Sequence, residues 1–138
     1  MYNFYRRSKY NARKVESDDG EVFDSLLERR RWEYLKIAQK EGLISGLERQ
    51  KKFVLIPAQY EINGAVYTKG KNKGLPKPGR LLEKECSYYA DFTYYKDGEL
   101  IAEDAKGMET KEFKIKKKLM LERFGLIVKV VKVATADI

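Results

Sequence analysis

The sequence predicts a mixed α/β fold, an α+β arrangement in which helices flank a mixed central sheet. The clearest signal is the pair Asp97-Gly98, which separates two apolar, aromatic-rich runs. Asp-Gly favours a two-residue hairpin turn, because a type I′ turn needs positive φ at both central residues. Apolar residues at helical spacing precede and follow this hairpin, and a β-branched run comes after them at 126–133. The predicted element order is therefore αβββαβ.

Length and composition predict one folded domain with a basic surface. The chain has 138 residues, of which 43% are hydrophobic and 12% aromatic, enough to form a single core. Its 29 Lys and Arg residues against 21 Asp and Glu leave a net charge of +8, which favours a polyanionic partner such as nucleic acid. We expect a single domain over residues 1–138, with a basic N-terminal arm at 1–22 and a basic flexible insertion at 63–86.

The residue types present restrict the chemistry. The chain contains no histidine and one cysteine, Cys86, which excludes Ser-His and Cys-His catalysis, His-ligated zinc and an intramolecular disulfide. Any metal ion would have to be held by oxygen ligands. No apolar run approaches the roughly 18 residues of a membrane-spanning helix, and the polar N-terminus lacks a signal core. We therefore expect a cytoplasmic protein that does not act at a membrane.

The first helix is predicted from Asp24 to about Glu41. Its apolar residues recur at helical spacing, at Phe23, Leu27, Tyr34, Leu35 and Ala38. Ser25 and Glu28 stand three apart, as in a capping box, in which Glu28 would bond back to the backbone at the start of the helix. Alternatively, Glu28 projects from the first turn as an acidic ligand, and both roles are compatible if Asp24 caps the helix.

A first long strand is predicted over Lys52–Tyr60, with Pro57 limiting its far end. Gln50, just before this strand, is either a surface amide or a polar residue of a site. The insertion that follows alternates lysines with Gly and Pro, and it is either a tolerated surface loop or a basic flap over a phosphate backbone. In the second case Lys71 and Lys73 would contact nucleic acid. The basic arm, which contains Arg13 and Lys14, is either a solvated tail or short hairpin or a further segment that contacts nucleic acid.

The hairpin at 88–107 carries the candidate catalytic residues. With Asp97 and Gly98 in the turn, Asp91 lies directly opposite Asp104, and such opposed Cβ atoms are roughly 4.5–5.5 Å apart. Lys106 shares the face of Asp104, because side chains two residues apart in a strand point the same way. Glu103 points to the opposite face, so the acidic role falls to Asp104 unless a bulge reverses the order.

Two opposed carboxylates beside an ammonium group indicate a divalent-metal phosphodiesterase site. Mg²⁺ is commonly held by one or two carboxylates and keeps several waters. The Ala105 backbone carbonyl is placed to be a further ligand, and Lys106 would hold or deprotonate the attacking water or stabilise charge on the phosphate. The simpler alternative is an ordinary solvated Asp–Lys pair, since alternating polar residues are common in hairpins.

The second helix is predicted from Thr110 to Phe124, with Phe113, Met120, Leu121 and Phe124 facing inward. Lysines occupy its other sides, at Lys111, Lys114, Lys117 and Lys118. A helix between two strands favours parallel pairing of those strands, so the run at 126–133 should pair in parallel with one hairpin strand.

The hairpin residues resemble a known nuclease signature. Ala90-Asp91-Phe92 followed by Glu103-Asp104-Ala105-Lys106-Gly107 is similar to the PD-(D/E)XK motif, with Ala90 in place of its frequent proline. Over nearly the whole chain except 63–86, the sequence also resembles a family of small phage-encoded proteins of that superfamily, similar to TnsA-like and Holliday-junction-resolvase-like endonucleases. The segments that carry this resemblance are Ser8-Lys9-Tyr10-Asn11-Ala12, Phe23-Asp24-Ser25 with Glu28, Leu47-Glu48-Arg49-Gln50 and Tyr89-Ala90-Asp91-Phe92-Thr93-Tyr94.

The resemblance implies a restriction-endonuclease-like core and a Mg²⁺-dependent DNA endonuclease, with Mn²⁺ as a possible substitute. Its substrate would be duplex or branched DNA, such as a Holliday junction in phage DNA metabolism, and it would act as a homodimer. Asp91, Asp104 and Lys106 match the catalytic residues, and the lysines of the second helix match positions that contact the DNA backbone. Glu28 matches an additional metal ligand, and Gln50 and Ser25 would support the site. The alternative is a non-catalytic nucleic-acid-binding or host-interaction protein that retains the fold.

Overall fold

The structure is a computed structural model, and it describes residues 14–17 and 19–138. Most of the predicted N-terminal arm, including Arg13, lies outside these residues. In chain order the elements are β1 (Val15–Glu16), β2 (Val22–Phe23), α1 (Leu26–Lys40), β3 (Ser45–Ile56), β4 (Gln59–Tyr60), β5 (Leu81–Glu83), β6 (Cys86–Lys96), β7 (Glu99–Ala105), α2 (Lys111–Phe124) and β8 (Lys129–Val131).

A four-stranded mixed sheet with the order β3-β6-β7-β8 is the centre of the fold. Strands β6 and β7 pair antiparallel, whereas β7 and β8 pair in parallel, with Asp104 opposite Val130. Helix α1 precedes these strands, and α2 connects β7 to β8. The predicted mixed α/β class and the parallel final strand are therefore confirmed. The two helices and the four strands of this sheet follow the predicted αβββαβ order, and the other four strands that the structure describes are additional to it.

The hairpin β6–β7 has the predicted turn and register. Asp97 has φ 51° and Gly98 has φ 81°, the positive values that a type I′ turn needs. The ladder pairs Lys96 with Glu99 at the turn and continues to Phe92 opposite Glu103. Asp91 and Asp104 follow directly beyond that last pair.

Helix α1 packs on the sheet through a buried apolar cluster. Leu35 and Ala38 of the helix meet Phe92 and Tyr94 of β6 in this cluster. The Trp32 ring also stacks on Phe92, with ring centroids 5.9 Å apart. This packing holds the helix over the hairpin strand that contains Asp91.

Both helices begin with a side-chain cap, and the cap at Ser25 is one that the sequence predicts. The Ser25 hydroxyl accepts from the backbone N–H of Glu28, and Thr110 accepts in the same way from Phe113. Helix α2 ends at Gly125, whose φ of 66° is the left-handed conformation common after helices. The inward orientation predicted for Leu121 and Phe124 is wrong, because these side chains are 50% and 41% exposed. Phe113 and Met120, which are buried, form the narrow face of α2 that packs inward.

Strand β3 starts seven residues before the predicted strand, at Ser45 rather than Lys52. It lies at the edge of the sheet, where charged residues commonly occupy a strand and protect its unpaired side. Exposed and partly buried residues alternate along 47–52, so this half of the strand has polar side chains instead of an apolar run.

The chain divides into two compact units, one formed by residues up to Lys51 with Tyr89–Ile138 and the other by Lys52–Tyr88. In the second unit, the segment predicted as a loop at 63–86 belongs largely to a long antiparallel ribbon, to which it contributes the tip and residues of both arms. Strands β4 and β5 pair at its base, and Val66 pairs with Pro76 further along. Within the described ranges, no helix has the length and apolar character needed to cross a membrane.

Candidate active site

Asp91 and Asp104 lie side by side at the end of the hairpin ladder. One carboxylate oxygen of Asp91, Oδ2, accepts from the backbone N–H of Ala105 at 2.9 Å. Asp104 is only 2% exposed, and its charge acts directly on Asp91. The hairpin register thus brings together the two acids that the sequence predicts.

Lys106 stands beside this pair of acids. Its Nζ lies 2.9 Å from Oδ1 of Asp104 and 4.7 Å from the centroid of the Phe113 ring at the start of α2. A cation near an aromatic face is attracted by the ring quadrupole. The ammonium group is therefore held between the carboxylate and the second helix, and about a third of the side chain is exposed to solvent.

Glu28 reaches the same cluster from the first turn of α1, and it also helps to cap that helix. Its backbone N–H donates to Ser25 at 3.1 Å, and its Oε2 accepts from the backbone N–H of Asp24 at 3.3 Å. The residue is 4% exposed, and its charge acts on Asp91. The capping role considered for Glu28 is therefore present, with Ser25 rather than Asp24 as the N-cap, and the same carboxylate lies near Asp91.

Gln50 connects Glu28 to Asp91. Its Nε2 lies 3.2 Å from Oδ1 of Asp91 and 3.4 Å from Oε1 of Glu28. Gln50 has φ 51°, a left-handed conformation that is uncommon for a residue with a side chain. Neighbouring residues of a regular strand point to opposite faces, but here both Gln50 and Arg49 approach Glu28.

Arg49 is a residue of this cluster that the sequence analysis did not single out. Its guanidinium lies 3.8 Å from the centroid of the Phe23 ring and 3.6 Å from Oε1 of Glu28. It also donates to the Val22 carbonyl and to Glu21. No local pattern in the sequence marks it, because its partners come from β2 and α1.

Glu103 occupies the other face of β7, as predicted, and has a different set of partners. Its two oxygens accept from the fully buried guanidinium of Arg31 at 2.9 and 2.7 Å. The Tyr94 hydroxyl donates to the same carboxylate, and burial together with this carboxylate raises the pKa of Tyr94. Arg31 was missed, although its spacing from Leu27 and Leu35 places it on the apolar stripe of α1.

A family model described as a protein of unknown function, DUF1064, matches residues 7–135 of the chain. The chain belongs to the DUF1064 family. Searches among curated proteins and among solved structures give no match. The description of the DUF1064 family names no activity, substrate or cofactor.

The carboxylates of Asp91, Asp104 and Glu28 lie close enough for the charges of the other two to act on Asp91. Burial, and then the negative charges of Asp104 and Glu28, raise the pKa of Asp91 to about 8. Burial also raises the pKa of Glu28, whereas the nearby Arg49 opposes this increase. Three acids that repel one another in a poorly solvated place favour either a bound proton or a bound cation.

The donor set suits a hard cation such as Mg²⁺. Among residues 14–17 and 19–138, no three acidic or cysteine side chains are already arranged around a common point to hold a metal ion. Mg²⁺ does not require this, because one or two carboxylates and several waters complete its shell. Asp91 and Asp104 provide such a pair, Glu28 lies close enough to act on Asp91, and the Ala105 backbone adjoins them.

The lysines predicted to contact nucleic acid are distributed over the surface of the DUF1064 chain. Lys111, Lys114 and Lys118 of α2 are exposed, as are Lys14, Lys71 and Lys73. Lys117 instead pairs with Glu109 at 2.7 Å. The exposed side of α2 therefore keeps three of the four lysines predicted there available to a phosphate backbone.

Replacing Asp91 with asparagine should stabilise the metal-free DUF1064 protein at pH 8. The pKa of Asp91 is about 8 in the folded state and about 3.9 in the unfolded state. Between these values the folded state binds one proton more than the unfolded state, so the free energy of unfolding falls as the pH rises from about 4 to about 8. The difference between the two pKa values, about four units at about 1.4 kcal/mol each, sets an upper bound of about 5–6 kcal/mol on the gain. Asparagine has only one side-chain oxygen and loses a hydrogen bond from either Ala105 or Gln50, so we expect a net gain of about 1–3 kcal/mol.

The measurement is urea unfolding in EDTA at pH 5 and pH 8. The parent should lose stability between these values, and the Asp91→Asn variant should lose less. A parent whose free energy of unfolding is equal at the two pH values would contradict the argument.

Proposed function

We propose that this protein is a Mg²⁺-dependent DNA endonuclease of the PD-(D/E)XK type. The observation that supports this most strongly is the convergence of Asp91 and Asp104 on the hairpin, with the Lys106 ammonium 2.9 Å from Asp104. Two carboxylates and a lysine in this arrangement suit hydrolysis of a phosphodiester, whose transition state gathers negative charge. Asp91 and Asp104 would hold the cation, with Glu28 and the Ala105 carbonyl as further ligands.

Each residue has a distinct task in this proposal. A bound cation would lower the pKa of its water and neutralise charge on the phosphate. Lys106, held against Asp104 and the Phe113 ring, would orient the attacking water or donate to a nonbridging phosphate oxygen. Gln50 donates to Asp91 and Glu28 and would keep both carboxylates pointing into the site.

The charge distribution supports a nucleic-acid substrate. The net charge is +8, and the exposed lysines of α2 follow the residues of the proposed site directly in the chain. Phosphate contacts of this kind make association strongly dependent on salt. By analogy with junction-cutting nucleases, we propose a homodimer that acts in the cytoplasm of a phage-infected cell, on duplex or branched DNA.

A substrate panel at low salt tests the proposal. Supercoiled plasmid, linear duplex, flap and four-way-junction DNA would each be incubated with Mg²⁺, Mn²⁺ or EDTA and resolved on one gel. We expect cleavage with either cation and none in EDTA. Binding without cleavage under all conditions would favour the alternative, a nucleic-acid-binding protein that retains the fold without catalysis.

A further inference from the structure

The long ribbon of residues 59–83, here called the β-ribbon, is hydrogen-bonded from its base to its tip. At the base, the backbone N–H of Glu61 donates to the Arg80 carbonyl at 2.8 Å, and the N–H of Gly79 donates to the Glu61 carbonyl at 3.1 Å. Further out, the backbone N–H of Lys77 donates to the Ala65 carbonyl at 2.9 Å, and the N–H of Tyr67 donates to the Leu75 carbonyl at 3.0 Å. The two arms of the ribbon are thus paired by backbone hydrogen bonds, with a register shift at the base, and do not form an open loop.

The Gly79 position shows how closely the two arms approach at the base. A Cβ atom built on Gly79 would lie 2.5 Å from the Glu61 carbonyl oxygen, well inside van der Waals contact. Only glycine fits there without moving the opposite arm. The register of the ribbon therefore depends on a specific residue.

The outer part of the β-ribbon carries positive charge without internal compensation. Residues 62–79 contain no acidic residue, and their cationic side chains are Lys69, Lys71, Lys73 and Lys77. None of these four forms an ion pair with any residue that the structure describes, whereas Arg80 at the base pairs with Glu61. Uncompensated lysines on an exposed projection attract a polyanion.

The same ribbon exposes apolar side chains between the charges. Ile62 is 97% exposed, and Val66 and Leu75 are about half exposed. An isolated two-stranded ribbon is marginally stable in water, so exposed apolar groups on it gain from burial against a partner. Thymine methyl groups in a DNA groove provide apolar contacts of the required kind.

We infer that the β-ribbon binds B-form duplex DNA by entering its major groove, with the lysines at its tip on the flanking phosphates. Two paired strands lie about 4.8 Å apart, and the B-form major groove, about 12 Å wide, admits a two-stranded ribbon. The major groove of A-form RNA is too deep and narrow for side chains to read. This inference rests on the proposed nuclease function for its biological meaning, and it specifies duplex DNA rather than RNA as the substrate class.

Binding measurements in EDTA test the inference without any cleavage. Fluorescence anisotropy would compare a duplex DNA with a duplex RNA of the same sequence, for the parent and for the variant K69Q/K71Q/K73Q. We expect the variant to bind duplex DNA about tenfold or more weakly, with a salt slope smaller by about 3, because each lost phosphate contact removes about one unit. Its affinity for duplex RNA should change much less.

A matched variant removes the same charge elsewhere. R30Q/K40Q/K132Q neutralises three exposed residues outside the ribbon and should bind duplex DNA nearly as the parent does.

A second ribbon variant replaces residues 66–76 with Asn-Gly, which joins Ala65 to Lys77 through a type I′ turn and removes the tip. It should lose the preference for DNA over RNA.

The outcomes separate this inference from the proposed function. Equal losses of affinity for DNA and RNA, or a loss no larger than in the matched variant, would overturn groove binding even if the protein cleaves DNA. Ribbon-dependent binding of duplex DNA by a protein that cleaves nothing would support the inference and overturn the nuclease proposal.

Discussion

Replacing Asp104 with asparagine should reduce the rate of Mg²⁺-dependent DNA cleavage by about 10³-fold or more. Removing one interaction that stabilises the transition state in a buried site typically lowers the rate by about 10²–10³-fold. The effect of Asp104 would act through the cation that it helps to hold. Asp104 is the more buried of the two hairpin acids, and Lys106 is held against it. The variant removes the charge while retaining the size of the side chain. The loss should therefore appear in cleavage rate and not in the fold.

The hairpin itself offers a matched control. Asp97→Asn makes the same chemical change in the turn, where Asn-Gly favours the type I′ conformation as well as Asp-Gly does. The Asp97→Asn variant should cleave at the rate of the parent. The Asp97→Asn and Asp104→Asn variants should unfold at similar urea concentrations. Equal nicking of plasmid by the parent and the Asp104→Asn variant would defeat the assignment of Asp104.

Binding should respond differently from cleavage. In EDTA, loss of a negative charge beside the substrate path leaves duplex DNA affinity unchanged or slightly increased, because Asp104 repels phosphate. Anisotropy on the same duplex measures this. A variant that loses binding and cleavage together would indicate a disturbed surface and not a missing catalytic group.

The parts of the fold that the sequence predicts well depend on neighbouring residues. The register of the hairpin follows from a two-residue turn, since Asp97-Gly98 alone determines which positions are opposed. The ends of α2 follow in the same way from Thr110 and Gly125. The placement of Asp91, Asp104 and Lys106 near one another therefore follows from local rules.

The parts that sequence reasoning missed depend on contacts between distant residues. The left-handed conformation of Gln50 has no local signal, and it is what allows Gln50 and Arg49 to approach the same carboxylate. The early start of β3 was hidden by the polar side chains of an edge strand. The composition of the β-ribbon predicts a loop because Gly, Pro and Lys are poor strand formers, whereas its backbone hydrogen bonds pair the two arms.

Replacing Arg31 with methionine should destabilise the protein by about 3–5 kcal/mol, the usual cost of breaking a buried ion pair from one side. Arg31 and Glu103 are both 0% exposed, and the guanidinium also donates to the carbonyls of Ala134 and Ala136. Without Arg31, the Glu103 carboxylate keeps the Tyr94 hydroxyl, and Lys129 lies 3.8 Å away. Urea unfolding at pH 7 measures the loss.

Two further variants show whether the missing charge is the cause. Arg30→Met changes an exposed neighbour in the same helix and should alter stability by less than about 0.5 kcal/mol. The double variant Arg31→Met with Glu103→Leu removes both charges and should recover most of the lost stability. A double variant as unstable as Arg31→Met alone would mean that lost packing or the lost hydrogen bonds to Tyr94, Ala134 and Ala136, and not the unpaired carboxylate, cause the effect.

The ion pair also connects stability to the proposed site. Glu103 and Asp104 are consecutive in β7, so Arg31 holds one face of the strand while Asp104 lies on the other. Loosening Arg31 should therefore disturb the position of Asp104 before the protein unfolds. We expect the Arg31→Met variant to lose cleavage activity at urea concentrations below its unfolding midpoint, whereas Arg30→Met should lose activity only as it unfolds.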